Sequence, residues 1–427
     1  MRDVAITGMG LVSALGCERR AFFDRLVTDQ SAIRSVADPR EGATDRFWCA
    51  PVTDFPLPDW MTPKLRDGSD VFAQWAMIAA RQALDDAGID CDALPATRTA
   101  VVHGTSMGGM RSLMRAQFDL ERSGPGAIER KTMMKMWGNM AAAQICMQYG
   151  LHGPSLTVAT ACASTIDALG TAARFIESGQ ADIAIVGGTE AGTFLDPDSL
   201  HDGFVPAMFY APVLFGMLSR VDDPRAACLP FDANRGGIVG GEGSAFFVLE
   251  RGEHARARGA RPWGYLAGYA SLADAYHPSA PDPSGQWEAR AMALAVEDAG
   301  IPATEVDALL AHGTGTPKGD LAEIRAINAV HGARSRPLPV ASIKAHLGHS
   351  AASSAGMSLI AGLAGMQART FVHTANSRTP DPEIDFDLVL GQPRALEVAV
   401  LQVNAFGFGG QNASMVIRAA PQARGDA

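Results

Sequence analysis

The chain has 427 residues, a formal net charge of -10 at pH 7 and a hydrophobic content of 47%. The negative charge argues against the clustered basic surface that nucleic-acid-binding proteins require, and no apolar run is long enough to span a bilayer. The first residues run straight into a strand pattern and lack the charged-then-apolar profile of a signal peptide. We therefore expect a globular, cytoplasmic protein with no nucleic-acid partner and no membrane insertion.

The cysteines indicate free thiols. The six of them are widely separated, with no Cys-x-x-Cys pair and no short spacing to a histidine. Neither a zinc site nor a disulfide framework is indicated by this pattern. We expect five of them to pack as small apolar side chains, and we expect no metal or redox cofactor. Cys162 is the exception because of its setting.

The predicted elements alternate between strands and helices along the chain. A strand pattern begins at Val4, and apolar residues at helical spacing predict a helix over 75–87. A second helix is predicted over 162–176, ended by Gly179. Short runs rich in apolar and β-branched residues predict strands over 181–186, 244–249 and 399–403, and such runs are typical of sheets covered on both faces.

Two parts of the chain resemble each other. Residues 83–89 read ALDDAGI and residues 295–301 read AVEDAGI. Each copy is followed by an apolar strand that ends in His-Gly-Thr, at 103–105 and at 312–314. Each reads as a helix ended by glycine, a connection, a buried strand and a tight turn. The period is far too long for a solenoid, so the sequence predicts two similar α/β halves stacked on each other.

Cys162 is the first candidate for catalysis. It lies in the segment TACAS (160–164), between an apolar run and the helical pattern that we expect it to open. Free backbone N–H groups and the helix dipole at such a position favour a thiolate and lower the thiol pKa. The small neighbours let a carbonyl approach, and the N–H of Cys162 itself is placed to bind an oxyanion. We expect a nucleophile that needs no neighbouring base.

Three basic side chains downstream are its candidate partners. They are His312 in AHGTGTP (311–317), Lys344 in SIK (342–344) and His349 in GHS (348–350), and each follows a short apolar segment. A nucleophile with such companions has groups for proton transfer and for anion stabilisation.

Together these motifs resemble the elongating, type II β-ketoacyl-acyl-carrier-protein synthases of the thiolase-like superfamily. The resemblance runs nearly end to end, through VAITGMGLVS (4–13), the cysteine segment, PFD (230–232), GEG (241–243), DAYH (274–277), both histidine segments and NAFGFGG (404–410). It implies an α/β, thiolase-like fold of two duplicated halves in a layered α-β-α-β-α arrangement. Residues 1–252 would carry the cysteine, and residues 253–420 would carry the two histidines and the lysine.

The same resemblance implies a decarboxylative Claisen condensation. Cys162 would take an acyl chain from the phosphopantetheine of an acyl carrier protein, and malonyl-carrier protein would then lose carbon dioxide and attack the thioester. His312 and His349, both neutral, would stabilise the enolate charge as N–H donors, while the N–H groups of Cys162 and Phe408 would hold the thioester oxygen. The pathway would be fatty-acid synthesis or a polyketide or polyene pathway, with no cofactor beyond the carrier's arm.

The resemblance also implies several supporting roles. Lys344 is expected to interact with Glu323 and to orient His349, with Asp320 as a second supporting acid. The remaining expected roles are pantetheine binding by Thr314 and Thr316, gating by the loop at Asp274 and by Phe408, and lining of the acyl pocket by Met107. His103, the repeat partner of His312, is expected to be a packed, non-catalytic histidine.

Partners follow from the same family likeness. Because a carrier protein is acidic, basic side chains are expected to steer its docking, and the candidates are Lys64, Arg66, Arg130 and Lys131. We expect a homodimer, since the family's pocket is completed by a second subunit.

Two departures and three alternatives accompany this interpretation. Residues 235–237 read RGG where the family usually has Arg-Asp-Gly, and the run 350–356 after His349 is one residue longer than usual. A thiolase is disfavoured because residues 404–412 contain no second cysteine. A chain-length partner is disfavoured by the retained Cys162, His312, Lys344 and His349, while a non-elongating acyltransferase stays open. The active half of a heterodimer in specialised metabolism is the third alternative.

Overall fold

The computed structural model describes residues 3–37, 46–53, 55, 57–191, 204, 207 and 223–420. Within these ranges the strands are β1 (Val4–Ser13), β2 (Arg34–Ala37), β3 (Arg46–Ala50), β4 (Thr99–Gly104), β5 (Ser155–Val158), β6 (Ile183–Glu190), β7 (Gly240–Gly241), β8 (Gly243–Arg251), β9 (Gly264–Ala273), β10 (Ala308–Leu310), β11 (Pro339–Ala341), β12 (Thr370–Phe371), β13 (Asp387–Leu388), β14 (Arg394–Ala395), β15 (Val400–Gly407) and β16 (Gln411–Ala419).

The α-helices of the same ranges are α1 (Arg19–Val27), α2 (Pro63–Asp67), α3 (Val71–Asp86), α4 (Met110–Ser123), α5 (Thr132–Lys135), α6 (Met140–Tyr149), α7 (Ser164–Glu177), α8 (Gly252–Ala257), α9 (Gln286–Asp298), α10 (Pro317–His331), α11 (Lys344–Leu347) and α12 (Ser354–Ala368). The predicted helix over 75–87 corresponds to α3, and the three predicted internal strands correspond to β6, β8 and β15.

The main sheet repeats one topology twice. In the described part of the chain it has 11 strands in the order β13-β11-β10-β15-β16-β9-β1-β8-β6-β4-β5. The order β5-β4-β6-β8-β1 of the first half matches the order β11-β10-β15-β16-β9 of the second, with the same parallel and antiparallel pairings. The halves join where residues 4–6 pair antiparallel with residues 264–266. The predicted duplication is confirmed.

The repeated sequence at the helix ends has the same conformation in both copies. The helices α3 and α9 end with caps at Ala87 and Ala299, whose N–H groups donate to the carbonyls of Ala83 and Ala295. The next residue in each copy is a glycine in the left-handed region, with φ of 64° and 68°. Glycine stops a helix there without the steric penalty that a side chain would meet.

Helices cover both half-sheets and separate them. On the outside, α3 and α6 pack on the first half, and α9 packs on the second. Between the halves, α7 contacts β4 and β6 on one side and β16 and β9 on the other, and α12 likewise contacts β8, β15 and β10. This is the predicted layered α-β-α-β-α arrangement. No helix in the described ranges combines the length and the apolar character that crossing a membrane would demand.

Cys162 lies at the seam between the halves. The helix that we expected to open at Cys162 begins instead at Ser164, after a 3-10 turn over Ala161–Ala163. An equivalent turn, Ala351–Ser353, lies in the run after His349 and precedes α12. Ala161 and Ala351 both have left-handed backbones, with φ of 50° and 43°. The hydroxyl of Thr165 donates to the carbonyl of Ala352, which ties the two turns together.

This seam leaves no room for a side chain at Gly188. A Cβ there would collide with the Thr165 side chain and with the carbonyl of Ala352. We expect Gly188→Ala to cost about 1–3 kcal/mol, as overpacking usually does, and to lower the urea midpoint of unfolding. Gly236→Ala is the matched control, because a Cβ at Gly236 meets no atom within 4 Å. Equal midpoints for the two variants would show that the seam tolerates the methyl group.

Candidate active site

The turn that carries Cys162 is held by side-chain hydrogen bonds. Ser164 Oγ donates to the carbonyl of Ala161 at 2.6 Å and accepts from the N–H of Thr160 at 3.0 Å. The hydroxyl of Thr160 donates to the buried carboxylate of Asp167 at 2.5 Å. These bonds fix the turn on the first residues of α7, and Cys162 is 9% exposed.

His349 contacts the nucleophile directly. Its Nε2 lies 3.1 Å from Cys162 Sγ, and its Nδ1 is buried without a hydrogen-bond partner. The backbone of His349 is held by β7 and the residue before it, since its N–H donates to Val239 at 2.7 Å and its carbonyl accepts from Gly241 at 2.9 Å. The imidazole can therefore exchange a proton with the thiol.

His312 completes the group from the second half. Its ring lies edge-on to that of His349, with centroids 5.1 Å apart and planes at 84°. Glu323 of α10 fixes the backbone beneath it, because its two oxygens accept from the N–H groups of His312 at 2.8 Å and Gly313 at 2.6 Å. Cys162, His312 and His349 each bring one heteroatom within 4.8 Å of the others. The structure thus gathers residues that lie far apart in the sequence.

Lys344 is buried beside this group. Its ammonium donates to the backbone carbonyl of His312. Glu323, the expected partner, raises the pKa of Lys344 electrostatically, although burial dominates and lowers that pKa overall. Burial also raises the pKa of the Glu323 carboxyl to about 7. The ammonium therefore supports the backbone of one histidine and places a positive charge near the thiol.

The thiol itself is not activated as the sequence suggested. Burial, aided by the Glu190 carboxylate, raises the pKa of Cys162 to about 11. Lys344 and the backbone N–H groups of Phe408 and Cys162 act in the opposite direction but do not compensate. The expectation of a thiolate without a neighbouring base is wrong, because desolvation of the charge outweighs the turn's N–H groups. The group that can take the proton is His349.

Both histidines are neutral at physiological pH. Burial and the Lys344 ammonium hold the pKa of His312 and that of His349 well below their usual range. A neutral imidazole has one N–H donor and one acceptor nitrogen. Each ring is accordingly suited to donate a hydrogen bond to an anion or to accept a proton.

The two threonines after His312 line one turn. The hydroxyls of Thr314 and Thr316 lie 2.9 Å apart. Asp320, buried in α10, accepts from the N–H groups of Thr314 at 2.9 Å and Gly315 at 3.0 Å. Asp320 therefore shapes the turn on which both hydroxyls stand.

The departure at residues 235–237 supports this same turn. Arg235 forms an ion pair with Asp381 at 2.6 Å and donates to the carbonyl of Thr316 at 3.2 Å. The N–H of Gly237 donates to the carbonyl of Gly315 at 3.1 Å. The altered segment is thus packed directly behind the threonine turn.

The loop at Asp274 and the glycine-rich turn at Phe408 are joined. Asp274 accepts from the side-chain amide of Asn412, and its N–H donates to the carbonyl of Gly410 at 2.8 Å. The N–H of Gly409 donates to Pro278 at 2.8 Å. Phe408 projects from this turn with 48% of its surface exposed, while its own N–H lies close enough to the Cys162 sulfur to lower the thiol pKa. Movement of either segment would involve the other.

Glu190 is a residue that the sequence analysis missed. It ends β6 and is buried, and burial raises the pKa of its carboxyl. Its oxygens accept from the N–H groups of Ser106 at 2.9 Å and Met107 at 3.1 Å. Met107 is therefore positioned by a carboxylate that also acts on Cys162. A glutamate at the end of an otherwise apolar strand was the available signal.

The remaining candidates lie outside this centre. His103 is fully buried, stacked on Phe246 with ring centroids 5.9 Å apart, and burial lowers its pKa to about 3. This is the packed histidine that the sequence predicts. The four basic docking candidates are on the surface, on or beside α2 and α5: Lys64, Arg66, Arg130 and Lys131.

Family comparisons agree with this geometry. The chain matches the Beta-ketoacyl synthase N-terminal domain over residues 1–255 and the Beta-ketoacyl synthase C-terminal domain over residues 263–378. It is 35% identical over 419 residues to a 3-oxoacyl-[acyl-carrier-protein] synthase 2 of Synechocystis sp., with 98% of each chain covered.

Solved structures share the whole fold. A β-ketoacyl synthase from Burkholderia phymatum has a TM-score of 0.87 at 30% identity, over 99% of this chain and 100% of that one. A type II polyketide ketosynthase in complex with its acyl-carrier protein has a TM-score of 0.87 at 27% identity, over 98% of this chain and 100% of that one. These matches confirm the predicted thiolase-like fold, and the chain belongs to the β-ketoacyl synthase family.

Proposed function

We propose that this enzyme condenses an acyl thioester on Cys162 with malonyl-acyl-carrier protein and releases a β-ketoacyl-carrier protein. The observation that carries the proposal is the contact of Cys162 Sγ with Nε2 of His349 at 3.1 Å, beside His312 and the buried Lys344. The substrates would arrive on phosphopantetheine, and the chemistry needs no further cofactor.

Loading begins with the thiol. Sγ attacks the carbonyl carbon of the incoming thioester, and the new C–S bond forms as the bond to the pantetheine sulfur breaks. The thiol proton passes to Nε2 of His349 and then to the departing sulfur, because a neutral imidazole can hold it in between. Lys344 favours this step because its charge stabilises the transient thiolate.

Condensation uses the same groups in a second role. Loss of carbon dioxide from the malonyl group leaves an enolate, whose oxygen accepts hydrogen bonds from His312 and His349. The enolate carbon attacks the Cys162 thioester, and the N–H groups of Cys162 and Phe408 hold the resulting oxyanion. The sulfur then leaves, the extended chain departs on the carrier, and the thiolate regains a proton from water.

The relatives favour an elongating synthase over the alternatives. The Synechocystis relative, named as a 3-oxoacyl-carrier-protein synthase, is 35% identical, against 27% for the polyketide ketosynthase. The heterodimer is accordingly not favoured. The proposal also includes docking of the acidic carrier by four basic residues, Lys64, Arg66, Arg130 and Lys131. It further includes a cytoplasmic location and a division into two halves at residues 1–252 and 253–420.

A homodimer is supported by the exposed edge of the first half. In the order of described strands β5 ends the sheet and pairs only with β4. Leu156 on this edge is 44% exposed, and Met147 on the adjoining α6 is 63% exposed. An unpaired strand edge with large apolar side chains beside it is a surface that another chain can cover. We infer that two copies pair along β5.

Removal of the nucleophile tests the reaction. Cys162→Ala is expected to abolish acyl loading, measured as the intact-protein mass after incubation with acyl-carrier proteins of different chain length. His312→Ala is expected to retain more loading than condensation, with condensation reduced about 100-fold or more, whereas His349→Ala, which lacks the proton acceptor beside Cys162, is expected to lose loading and condensation alike. The exposed His152→Ala serves as control. Normal product formation by Cys162→Ala would overturn the mechanism.

Lys344→Met tests the electrostatic role of the ammonium. Lys344 lowers the pKa of Cys162, so its removal raises that pKa and reduces the thiolate fraction at every pH below it. We expect alkylation of Cys162 by iodoacetamide at pH 8 to slow by about tenfold, the effect of one unit of pKa. The pH profile of the rate should shift upward. The exposed Lys318→Met is the control, and a profile unchanged in Lys344→Met would contradict the role.

Leu156→Lys tests the dimer. A charge on the edge strand should oppose pairing of two β5 strands, and we expect the mass from light scattering to fall from that of a dimer to that of a monomer. Leu57→Lys is the matched control, since Leu57 is similarly exposed at 42%. A monomeric native protein, or a dimer that survives Leu156→Lys unchanged, would exclude pairing along β5.

A further inference from the structure

A second group of potential ligands lies outside the catalytic centre. Asp29 follows α1, His346 is in α11, and His373 follows β12. One donor atom from each lies within 4.8 Å of the others. The rings of His346 and His373 meet edge-on, with centroids 5.1 Å apart and planes at 85°. Neither histidine takes part in the reaction proposed above.

Both imidazoles keep a ring nitrogen without a partner in the interior. His346 is 0% exposed and His373 is 1% exposed. His346 Nε2 and His373 Nδ1 are buried with no hydrogen bond. Burial lowers the pKa of His346, and the nearby backbone of His373 opposes that shift. A buried nitrogen lone pair that no donor satisfies costs free energy. The Nε2 of His346, next to the His373 ring and its carboxylate partner Asp29, therefore indicates a missing ligand.

One of the two imidazoles is held as histidines are in metal sites. His346 Nδ1 lies 3.0 Å from the carbonyl of Gln30, which accepts its proton and leaves the lone pair on Nε2. Metal-binding histidines usually donate the second N–H to a carbonyl or carboxylate in this manner. His373 Nε2 lies 3.0 Å from the carboxylate of Asp29, so an ion bound by both residues would take the place of this contact. The tautomer of His346 is therefore the one that binds a metal.

We propose that Asp29, His346 and His373 bind one divalent transition-metal ion of the Zn²⁺ type. Two imidazoles and a carboxylate suit zinc better than calcium or magnesium, which take oxygen ligands. Zinc with bonds of about 2.1 Å brings its ligands to about 3.4 Å from one another, so the 3.0 Å contact between His373 and Asp29 must open slightly while His346, whose donor lies within 4.8 Å of the other two, moves toward the ion. The Asp29 side chain is 64% exposed, which opens a path for the ion and a position for a water ligand.

The ion would brace the segment that carries the catalytic residues. His346 lies in α11, two residues after Lys344 and three before His349. The chain just after α1 is already tied to α11, since the N–H of Ala32 donates to the carbonyl of His346 at 2.8 Å. Metal binding would add a cross-link from α11 to the end of α1 and to the residues after β12. We expect zinc to raise the thermal midpoint of unfolding.

The experiment must separate this site from the catalytic group, which also holds a cysteine and two histidines. Metal-free Cys162→Ser protein would be titrated with Zn²⁺ by calorimetry and with Co²⁺ by absorption. We expect one ion per chain, a rise in the thermal midpoint and a cobalt spectrum without a thiolate charge-transfer band. Adding His373→Ala should weaken zinc binding by about 100-fold, and His331→Ala, which removes another buried imidazole, should not change it.

Asp29→Ala is the second variant. Because Asp29 is exposed, its replacement is not expected to unfold the chain, and it should weaken zinc binding by about tenfold or more. Absence of stoichiometric zinc binding to Cys162→Ser would overturn the proposal. So would equal affinity in Cys162→Ser with and without Asp29→Ala. Zinc bound by the native chain but not by Cys162→Ser would assign the ion to the catalytic group instead.

Discussion

The buried ammonium of Lys344 is the interaction on which the active centre depends. It donates to the carbonyl of His312, lowers the pKa of Cys162 and adds to the effect of burial in keeping His312 and His349 neutral. Burial of this charge is costly unless other groups compensate for it, and the nearby Glu323 contributes by raising the pKa of the ammonium. One positive charge thus acts on the protonation of three groups around it.

This charge can be buried because two half-sheets enclose it. The 3-10 turns at Cys162 and at Ala352 meet at the seam, and α7 and α12 separate the strands of the two halves. Cys162 comes from the first half, and His312, His349 and Lys344 come from the second. A duplicated fold therefore builds a site from unlike copies of one element: a cysteine stands in one turn where an alanine stands in the other.

Desolvation has opposite consequences at different places in the structure. At Cys162 it raises the thiol pKa to about 11 and makes a proton acceptor necessary. At His312 and His349 it keeps the rings neutral and able to serve as that acceptor or as N–H donors. At His346 it lowers the pKa and keeps the ring neutral, which is the form in which imidazole binds a metal ion. Burial thus changes the protonation of each group in a way that suits a different chemical role.

The sequence by itself determined the duplication, the main strands and helices, and the family, because apolar periodicity and the spacing of Cys162, His312, Lys344 and His349 are local features of the chain. Tertiary structure alone decided the thiol's pKa, the place of Glu190 and the meeting of Asp29, His346 and His373. Those depend on burial and on distances between segments remote in sequence. No local pattern of residues indicates how far the other half of the fold shields a charge from water. For that reason the prediction of a free thiolate was wrong, whereas the prediction of the fold was right.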